Sequence, residues 1–209
     1  MQSFCIFDTE YMTFPNALST GWNDSGQHKE IIQIAAAIVT PGQPWETFPT
    51  FNVLVKPVLN RLNAHTTQIT GITQEQMDAD GMATATAMAR FAAFVGDHKA
   101  FSNGMDINKI AETCGLQGVH MPLAVRNFGS LRAALYEALD EVRDFHHEDF
   151  PSGRLHELVG IPLLPGLGQV HDAMRDVWSL HVTMDWLSDH SVNITAMMVD
   201  QLELAYTAC

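Results

Sequence analysis

The sequence predicts an α/β fold in which a mixed β-sheet is flanked by helices. Two patterns predict it. Three short apolar segments with short connections come first, which is typical of an antiparallel meander. Helical periodicities and short apolar runs then alternate along the rest of the chain. No repeat, low-complexity tract or linker divides the 209 residues, so we expect one domain spanning residues 1–209.

The first three elements are expected to be strands. Ser3–Glu10 carries apolar side chains on both faces, which is typical of a strand in the centre of a sheet. Glu30–Val39 is expected to be a second buried strand, although its alanine run leaves a helix open. Thr50–Lys56 alternates between apolar and polar residues and is expected to be the third strand.

The elements after these strands are expected to be helices and short strands in alternation. Apolar residues three and four apart predict helices at Ala85–Val95, just after Asp106, at Leu131–Val142, from Asp172 to Leu187, and from Ile194 to Tyr206. Short apolar runs predict strands at Lys99–Ser102 and Met121–Val125. Polar residues predict loops at Phe145–Gly153 and Pro162–Gly168.

The composition argues against several classes of protein. A net charge of −13, with eleven scattered Lys and Arg, is unlike a simple nucleic-acid-binding module. Clustered carboxylates could still bring cations to a phosphate substrate. Three cysteines without a CxxC pair predict neither a disulfide framework nor a cysteine zinc site. The sequence shows no secretion signal and no membrane-spanning run, so we expect a cytoplasmic protein without a membrane partner.

Two carboxylates stand at the end of the predicted central strand. Asp8 and Glu10 are two residues apart, so both project from one face of the strand. Like charges beside an apolar core are costly unless a positive charge compensates them. The alternative is that the strand ends at Phe7 and the carboxylates belong to a solvated turn.

A third carboxylate lies on the long helix near the end of the chain. Asp176 lies on or beside an apolar stripe formed by Ala173, Val177, Leu180, Met184 and Leu187. An inward carboxylate needs a partner, and the alternative to a metal is a salt bridge to Arg132 or Arg154. His171 is expected at or just ahead of the helix start, turned toward Asp176. A lone histidine there could also be an exposed cap.

Two further groups have ordinary explanations. Asp106 follows a strand-to-helix junction, where the helix dipole alone favours an acidic residue. The run His146-His147-Glu148-Asp149 could bind zinc, but adjacent histidines do not match zinc-site spacing, so we expect a solvated loop.

Taken together, three segments resemble the DEDDh group of 3′-to-5′ exonucleases. They are FDTE at Phe7–Glu10, SNGMD at Ser102–Asp106, and HDAMRD at His171–Asp176, which fits the family pattern HxAxxD. The segment Gln68–Met77 is similar to a linker in the RNA-trimming members of the family. The resemblance implies a ribonuclease-H-like fold and hydrolysis of phosphodiester bonds from a 3′ end.

The resemblance also implies a site with two divalent cations, Mg²⁺ or Mn²⁺. Asp8, Glu10 and Asp176 would hold one ion, and Asp8 would bridge to a second ion with Asp106 near it. Carboxylate oxygens suit these ions. His171 would act as general base toward the attacking water, a role that fits a group titrating near neutrality.

Substrate contacts are implied for two more residues. The backbone of Thr9 would contact the terminal 3′-hydroxyl, and Phe14 stands where the family places an apolar wedge against the last bases. Two departures concern base recognition. Tyr11-Met12-Thr13 replaces the Thr-Thr-Gly or Ala-Thr-Gly of many members, and Met105 stands where some relatives carry an aromatic residue.

The predicted function is a 3′-to-5′ exonuclease that acts on single-stranded RNA or DNA and releases nucleoside monophosphates. One alternative is a proofreading or repair exonuclease subunit working beside a DNA polymerase. Another is a catalytically silent adaptor that keeps the fold for protein binding. The choice between RNA and DNA is open, since it depends on pocket geometry. Whether the last helix packs on its own domain or in a homodimer is also open.

Overall fold

A five-stranded mixed sheet lies at the centre of the structure, a computed structural model that describes residues 3–142, 151–192, 194 and 198. Its strands are β1 (Phe4–Tyr11), β2 (Ile31–Val39), β3 (Thr50–Leu54), β4 (Ala100–Ser102) and β5 (Phe128–Ser130). The order across the sheet is β3-β2-β1-β4-β5. β1, β2 and β3 pair antiparallel, whereas β4 pairs parallel with both β1 and β5. The predicted mixed sheet is therefore confirmed.

Helices pack on both faces of the sheet. They are α1 (Ala17–Thr20), α2 (Ala64–Thr70), α3 (Gln74–Asp80), α4 (Thr84–Val95), α5 (Asp106–Gln117), α6 (Arg132–Val142), α7 (Leu155–Leu158) and α8 (Ala173–Asp189). Within the described ranges, no helix is both long enough and apolar enough to cross a bilayer.

The central position of β1 follows from its two apolar faces. Phe4 and Ile6 enter the core that β1 shares with α6 and α8. Cys5 and Phe7 point the other way, into the core built with α4 and α5. Because side chains alternate along a strand, only a strand covered on both sides buries all four.

One predicted strand is wrong. Met121–Val125 forms no strand, and the last strand of the sheet is instead β5, which pairs with β4 from Ala100 to Ser102. Met121 and Leu123 still pack against the core beside α4 and α5, which explains their apolar character. Pro122 between them lacks the N–H that a strand inside a sheet would use.

Other expectations are resolved by the same structure. The segment at Glu30–Val39 is a strand, so the helical alternative is excluded. The segment Gln68–Met77 spans the end of α2 and the start of α3, where Thr73 and Gln76 form a capping box. The run from His146 to Asp149 lies outside the described residues, as does the predicted last helix except Ile194 and Met198, both buried.

Candidate active site

The first two carboxylates lie on β1, on the face that α8 covers. Asp8 and Glu10 are each 7% exposed and share this face with Phe4 and Ile6. The strand continues to Tyr11, so the alternative of a solvated turn after Phe7 is excluded. Burial, and then the charges of Asp106 and Asp176, raise the pKa of Asp8 well above its usual range. Burial and Asp176 likewise raise the pKa of Glu10.

Asp176 reaches the same place from the first turn of α8. It is 5% exposed, and its Oδ1 atom has no hydrogen-bond partner among the described residues. Burial, and then the charge of Asp106, raise the pKa of Asp176 to about 7. Among the described residues no salt bridge joins Asp176 to Arg132 or Arg154: Arg154 pairs with Glu157, and Arg132 lies over the Tyr136 ring.

Asp106 is the first residue of α5 and points back toward β1. Its Oδ1 atom accepts hydrogen bonds from the Thr9 hydroxyl at 2.6 Å and from the Thr9 backbone N–H at 3.1 Å. The first-turn position explains why the helix tolerates the charge. It does not explain the direction of the side chain, which buries the carboxylate beside the others. The Thr9 N–H therefore already donates to Asp106. To contact the substrate, this amide would have to break its hydrogen bond with Asp106 and donate to the substrate instead.

His171 lies two residues before the first residue of α8, as the sequence predicts. A ring nitrogen of His171, an oxygen of Glu10 and an oxygen of Asp176 all lie within 4.8 Å of one another. The backbone of His171 has φ of 68°, a left-handed conformation that costs energy in most residues. Burial lowers the pKa of His171, so the imidazole is neutral at neutral pH and able to accept a proton.

Hydrogen bonds to neighbouring elements hold the His171 segment in place. On one side, the Gln169 amide donates to the Ile69 carbonyl at the end of α2, at 2.8 Å. On the other side, Asp172 caps α8, and Gln33 of β2 accepts from the Ala173 N–H at 3.2 Å. The unusual backbone of His171 is thus fixed from both sides.

The charge balance of the site fits divalent cations. Four buried carboxylates converge, and repulsion between them adds to the cost of burial in raising the pKa values of Asp8, Glu10 and Asp176. Within the part of the chain that the structure describes, a buried oxygen of Asp176 lacks a hydrogen-bond partner. A buried carboxylate without a partner is costly, and bound cations relieve that cost. A set of carboxylate oxygens is also what hard ions such as Mg²⁺ and Mn²⁺ prefer.

A cleft of about 380 Å³ opens over these groups. Its lining includes six residues that the sequence singles out, namely Asp8, Thr9, Glu10, Asp106, His171 and Asp176. Phe14 is not part of the lining, because it packs against the small cluster around Met12 and Met77. Leu18, which is 88% exposed, and Ile69 are apolar residues that do line the cleft.

Three polar and aromatic residues of the cleft were not found from the sequence, namely Trp22, Lys109 and Ser152. Tyr11, Asn103 and Arg132 also line the cleft, although the sequence predicts no role for them there. Lys109 could have been found from the sequence, because it lies three residues after Asp106 and so on the same face of a helix. Trp22 lies in an irregular segment and Ser152 begins a single 3₁₀ turn, and the sequence does not specify the path of either.

Gly153 offers a test of how closely the site is packed. A methyl group at this position would collide with the Asp176 carboxylate. We expect Gly153→Ala to push that carboxylate aside and to lower any metal-dependent activity by at least about tenfold, the effect expected of roughly 1.4 kcal/mol. Gly115→Ala is the matched control, because Gly115 lies in α5 with open space around it. Steady-state rates and thermal melts of both variants check the expectation, and equal activities would contradict it.

The sequence matches a known family, and the fold matches known structures. An exonuclease family model, RNase_T, matches residues 5–179. No curated protein matches the sequence significantly. The fold is similar to that of cell-death related nuclease 4 (CRN-4), with a TM-score of 0.70, 21% identity, and coverage of 90% of this chain and 64% of that chain.

Two further structures share the fold. The nuclease domain of 3′hExo, described as a DEDDh family member and bound to rAMP, has a TM-score of 0.72 and 15% identity, covering 91% of this chain and 93% of that domain. Exonuclease I of E. coli, in complex with a dA16 oligonucleotide, has a TM-score of 0.61 and 17% identity, covering 90% of this chain. The present chain spans 41% of exonuclease I and 64% of CRN-4, so the match concerns only part of either protein.

Proposed function

Because the chain belongs to the RNase_T exonuclease family, we propose that it is a metal-dependent 3′-to-5′ exonuclease of the DEDDh type. It hydrolyses the last phosphodiester bond of single-stranded RNA or DNA and releases nucleoside monophosphates, with residues 1–209 acting as one domain. The observation that carries this proposal is the convergence of four buried carboxylates and one histidine on a single cleft.

The carboxylates are assigned to two divalent cations. Asp8, Glu10 and Asp176 would hold one ion, and Asp8 together with Asp106 would hold the other. When bound, the cations would lower the pKa of a water and neutralise the charge that develops on the phosphate. The contribution of the chain is to hold these oxygens in fixed positions. The bond from Thr9 to Asp106 and the first turn of α8 provide that rigidity.

His171 is assigned as the general base. Its imidazole is neutral and lies beside Glu10 and Asp176, where it can take a proton from a water held at the site. A ring nitrogen is a less suitable ligand for Mg²⁺ or Mn²⁺ than a carboxylate oxygen. The side chain is therefore better suited to moving a proton than to holding an ion.

The apolar residues of the cleft are assigned to the bases of the substrate. Leu18 and Met105 are 88% and 67% exposed and both line the cleft. Large exposed apolar side chains gain by covering the flat faces of unpaired bases, which favours single strands. Such contacts carry little sequence information, since every base has a flat face.

Labelled oligonucleotides test the proposed function directly. Linear RNA and DNA should be shortened from the 3′ end in single-nucleotide steps with Mg²⁺ or Mn²⁺, and EDTA should stop the reaction. A circular single strand should resist cleavage. Cleavage of the circle at a comparable rate would contradict the exonuclease assignment. Activity that survives EDTA would contradict the proposed dependence on a metal ion. A protein that degrades none of these substrates would favour the silent adaptor.

Metal binding should also be visible in stability. Ions that bind only the folded form stabilise it, by about 2.7 kcal/mol at one hundred times the dissociation constant, so Mn²⁺ should raise the melting temperature of the native protein. In Asp8→Asn, the apo protein should melt above native apo protein, because one of the crowded charges is gone. The same variant should gain less from Mn²⁺, having lost a ligand.

Thermal melts in EDTA and in Mn²⁺ measure both effects. Asp97→Asn is the control, since it removes one charge from an exposed position outside the cleft. Equal Mn²⁺-induced shifts in Asp8→Asn and in the native protein would show that Asp8 is not a ligand.

A further inference from the structure

Two lysines and two aromatic rings form a stack of which three members, Tyr11, Trp22 and Lys109, line the cleft. The Lys109 ammonium lies 4.1 Å from the Tyr11 ring centroid, and the Lys29 ammonium lies 4.1 Å from that of Trp22. The two ring centroids are 5.9 Å apart. We name these four residues the cationic stack. Each ring contacts one ammonium group and the other ring. The rings therefore hold the two lysines in place, and their occupied faces are less suited to stacking on a base.

The stack is held by the surrounding backbone. The Trp22 backbone has φ of 60°, which is unfavourable for a bulky residue, and its indole N–H donates to the Met12 carbonyl at 3.1 Å. Tyr11 is the last residue of β1, directly after Glu10. Lys109 lies on α5, three residues after Asp106. The Lys109–Tyr11 end of the stack is therefore tied to the two elements, α5 and β1, that carry Asp106, Asp8 and Glu10.

The stack concentrates positive charge near the acidic centre, and the charges of Asp106 and Glu112 partly offset the effect of burial and of Lys29 on the pKa of Lys109. Neither lysine forms an ion pair with any described residue, although the chain as a whole carries a net charge of −13. Burial, and then the nearby charge of Lys29, lower the pKa of Lys109. Holding a lysine in one geometry also costs side-chain entropy. An ordered ammonium group in the lining of the cleft, with Lys29 adding a second charge outside the lining, favours an anionic partner.

We propose that Lys109, held by Tyr11, binds the substrate phosphate that lies on the 5′ side of the scissile phosphate. The inference rests on the proposed function, because the scissile phosphate must lie at the carboxylates. Three residues along a helix correspond to about 4.5 Å and return to the same face, which places the lysine beside the acidic centre and not within it. Lys29 supports the same charge from the far end of the stack. Lys109 thus recognises a second phosphate of the substrate strand, whatever the base or sugar of the nucleotide.

Dinucleotides with and without a 5′-phosphate isolate this contact. The pairs TpT and pTpT for DNA, and UpU and pUpU for RNA, share one scissile bond and differ only in the second phosphate. We expect native protein to show a kcat/KM about tenfold or more higher for the phosphorylated member, since a charge-assisted contact contributes this order of discrimination. In Lys109→Gln, the ratio should fall to about one. In Tyr11→Phe, which keeps the ring, the ratio should persist, whereas Tyr11→Leu should reduce it.

Lys56→Gln is the matched control, because its ammonium donates to the Asp78 carbonyl outside the cleft. It should keep the native ratio. A native ratio near one would overturn the inference, and so would a Lys109→Gln variant that slows both dinucleotides equally and leaves the ratio intact. In either case longer oligonucleotides would still be degraded, so the proposed function would stand. Native protein that cleaves no substrate of any length would overturn both.

Discussion

Replacing Asp8 with alanine should abolish hydrolysis of a labelled oligonucleotide. Burial, and then the charges of Asp106, Asp176 and Glu10, raise the pKa of Asp8, which places this carboxylate among the other acidic groups. Its assigned role as a ligand of both ions means that one substitution disrupts the whole site. Rates should be measured at saturating Mn²⁺, so that weaker binding of one ion does not hide a working site.

The stability of the same variant separates chemistry from folding. Asp8→Ala should melt no lower than native protein in EDTA, because it removes a buried charge and little apolar surface. Asp97→Ala, a substitution at an exposed position, should leave both rate and melting temperature near native. An Asp8→Ala protein that stays folded and keeps a near-native rate would show that the carboxylate cluster is not the site of hydrolysis.

Removing the imidazole of His171 should lower kcat by about 10²–10⁴, the usual contribution of a general base. Because His171 adopts a positive φ, alanine there adds backbone strain to the loss of the base. Asparagine tolerates this backbone conformation, so His171→Asn is the cleaner variant. Both variants should lose activity, and His171→Asn should melt closer to native protein. His120→Ala, at an exposed position outside the cleft, is the control and should keep the native kcat.

The same variant distinguishes a base from a ligand. If His171 moves a proton, His171→Asn should keep the native rise in melting temperature with Mn²⁺ while losing turnover. If His171 instead holds an ion with Glu10 and Asp176, the Mn²⁺-induced rise should shrink as it does in Asp8→Asn. Retention of near-native turnover would contradict the general-base assignment outright.

Much of the fold and part of the site could be predicted from local patterns. The family resemblance and the mixed sheet are both confirmed. The apolar alternation around Phe4 and Phe7 indicated a central strand, and the stripe on α8 placed Asp176 toward the core. The first prediction depends on the two-residue period of a strand, and the second depends on the 3.6-residue period of a helix. Either period is visible within one short segment of the sequence.

What could not be predicted depends on contacts between distant parts of the chain. β5 is three residues long with Gly129 at its centre, so only pairing with β4 defines it as a strand. The bond between Thr9 and Asp106 joins residues 97 apart. The contact of Trp22 with Tyr11 depends on an unusual backbone conformation that no pattern indicates.

The central place of β1 has consequences for the order in which the chain can fold. This strand lies early in the sequence, yet its parallel partner β4 starts at Ala100, and Asp176 comes later still. Pairings between such distant segments pay loop-closure entropy before they gain contacts, which slows folding. Before β1 pairs with β4, its apolar residues can associate with other protein chains. Charged residues at the end of the strand disfavour such association. Asp8 and Glu10 would thus protect the unfinished protein from aggregation before they serve any substrate.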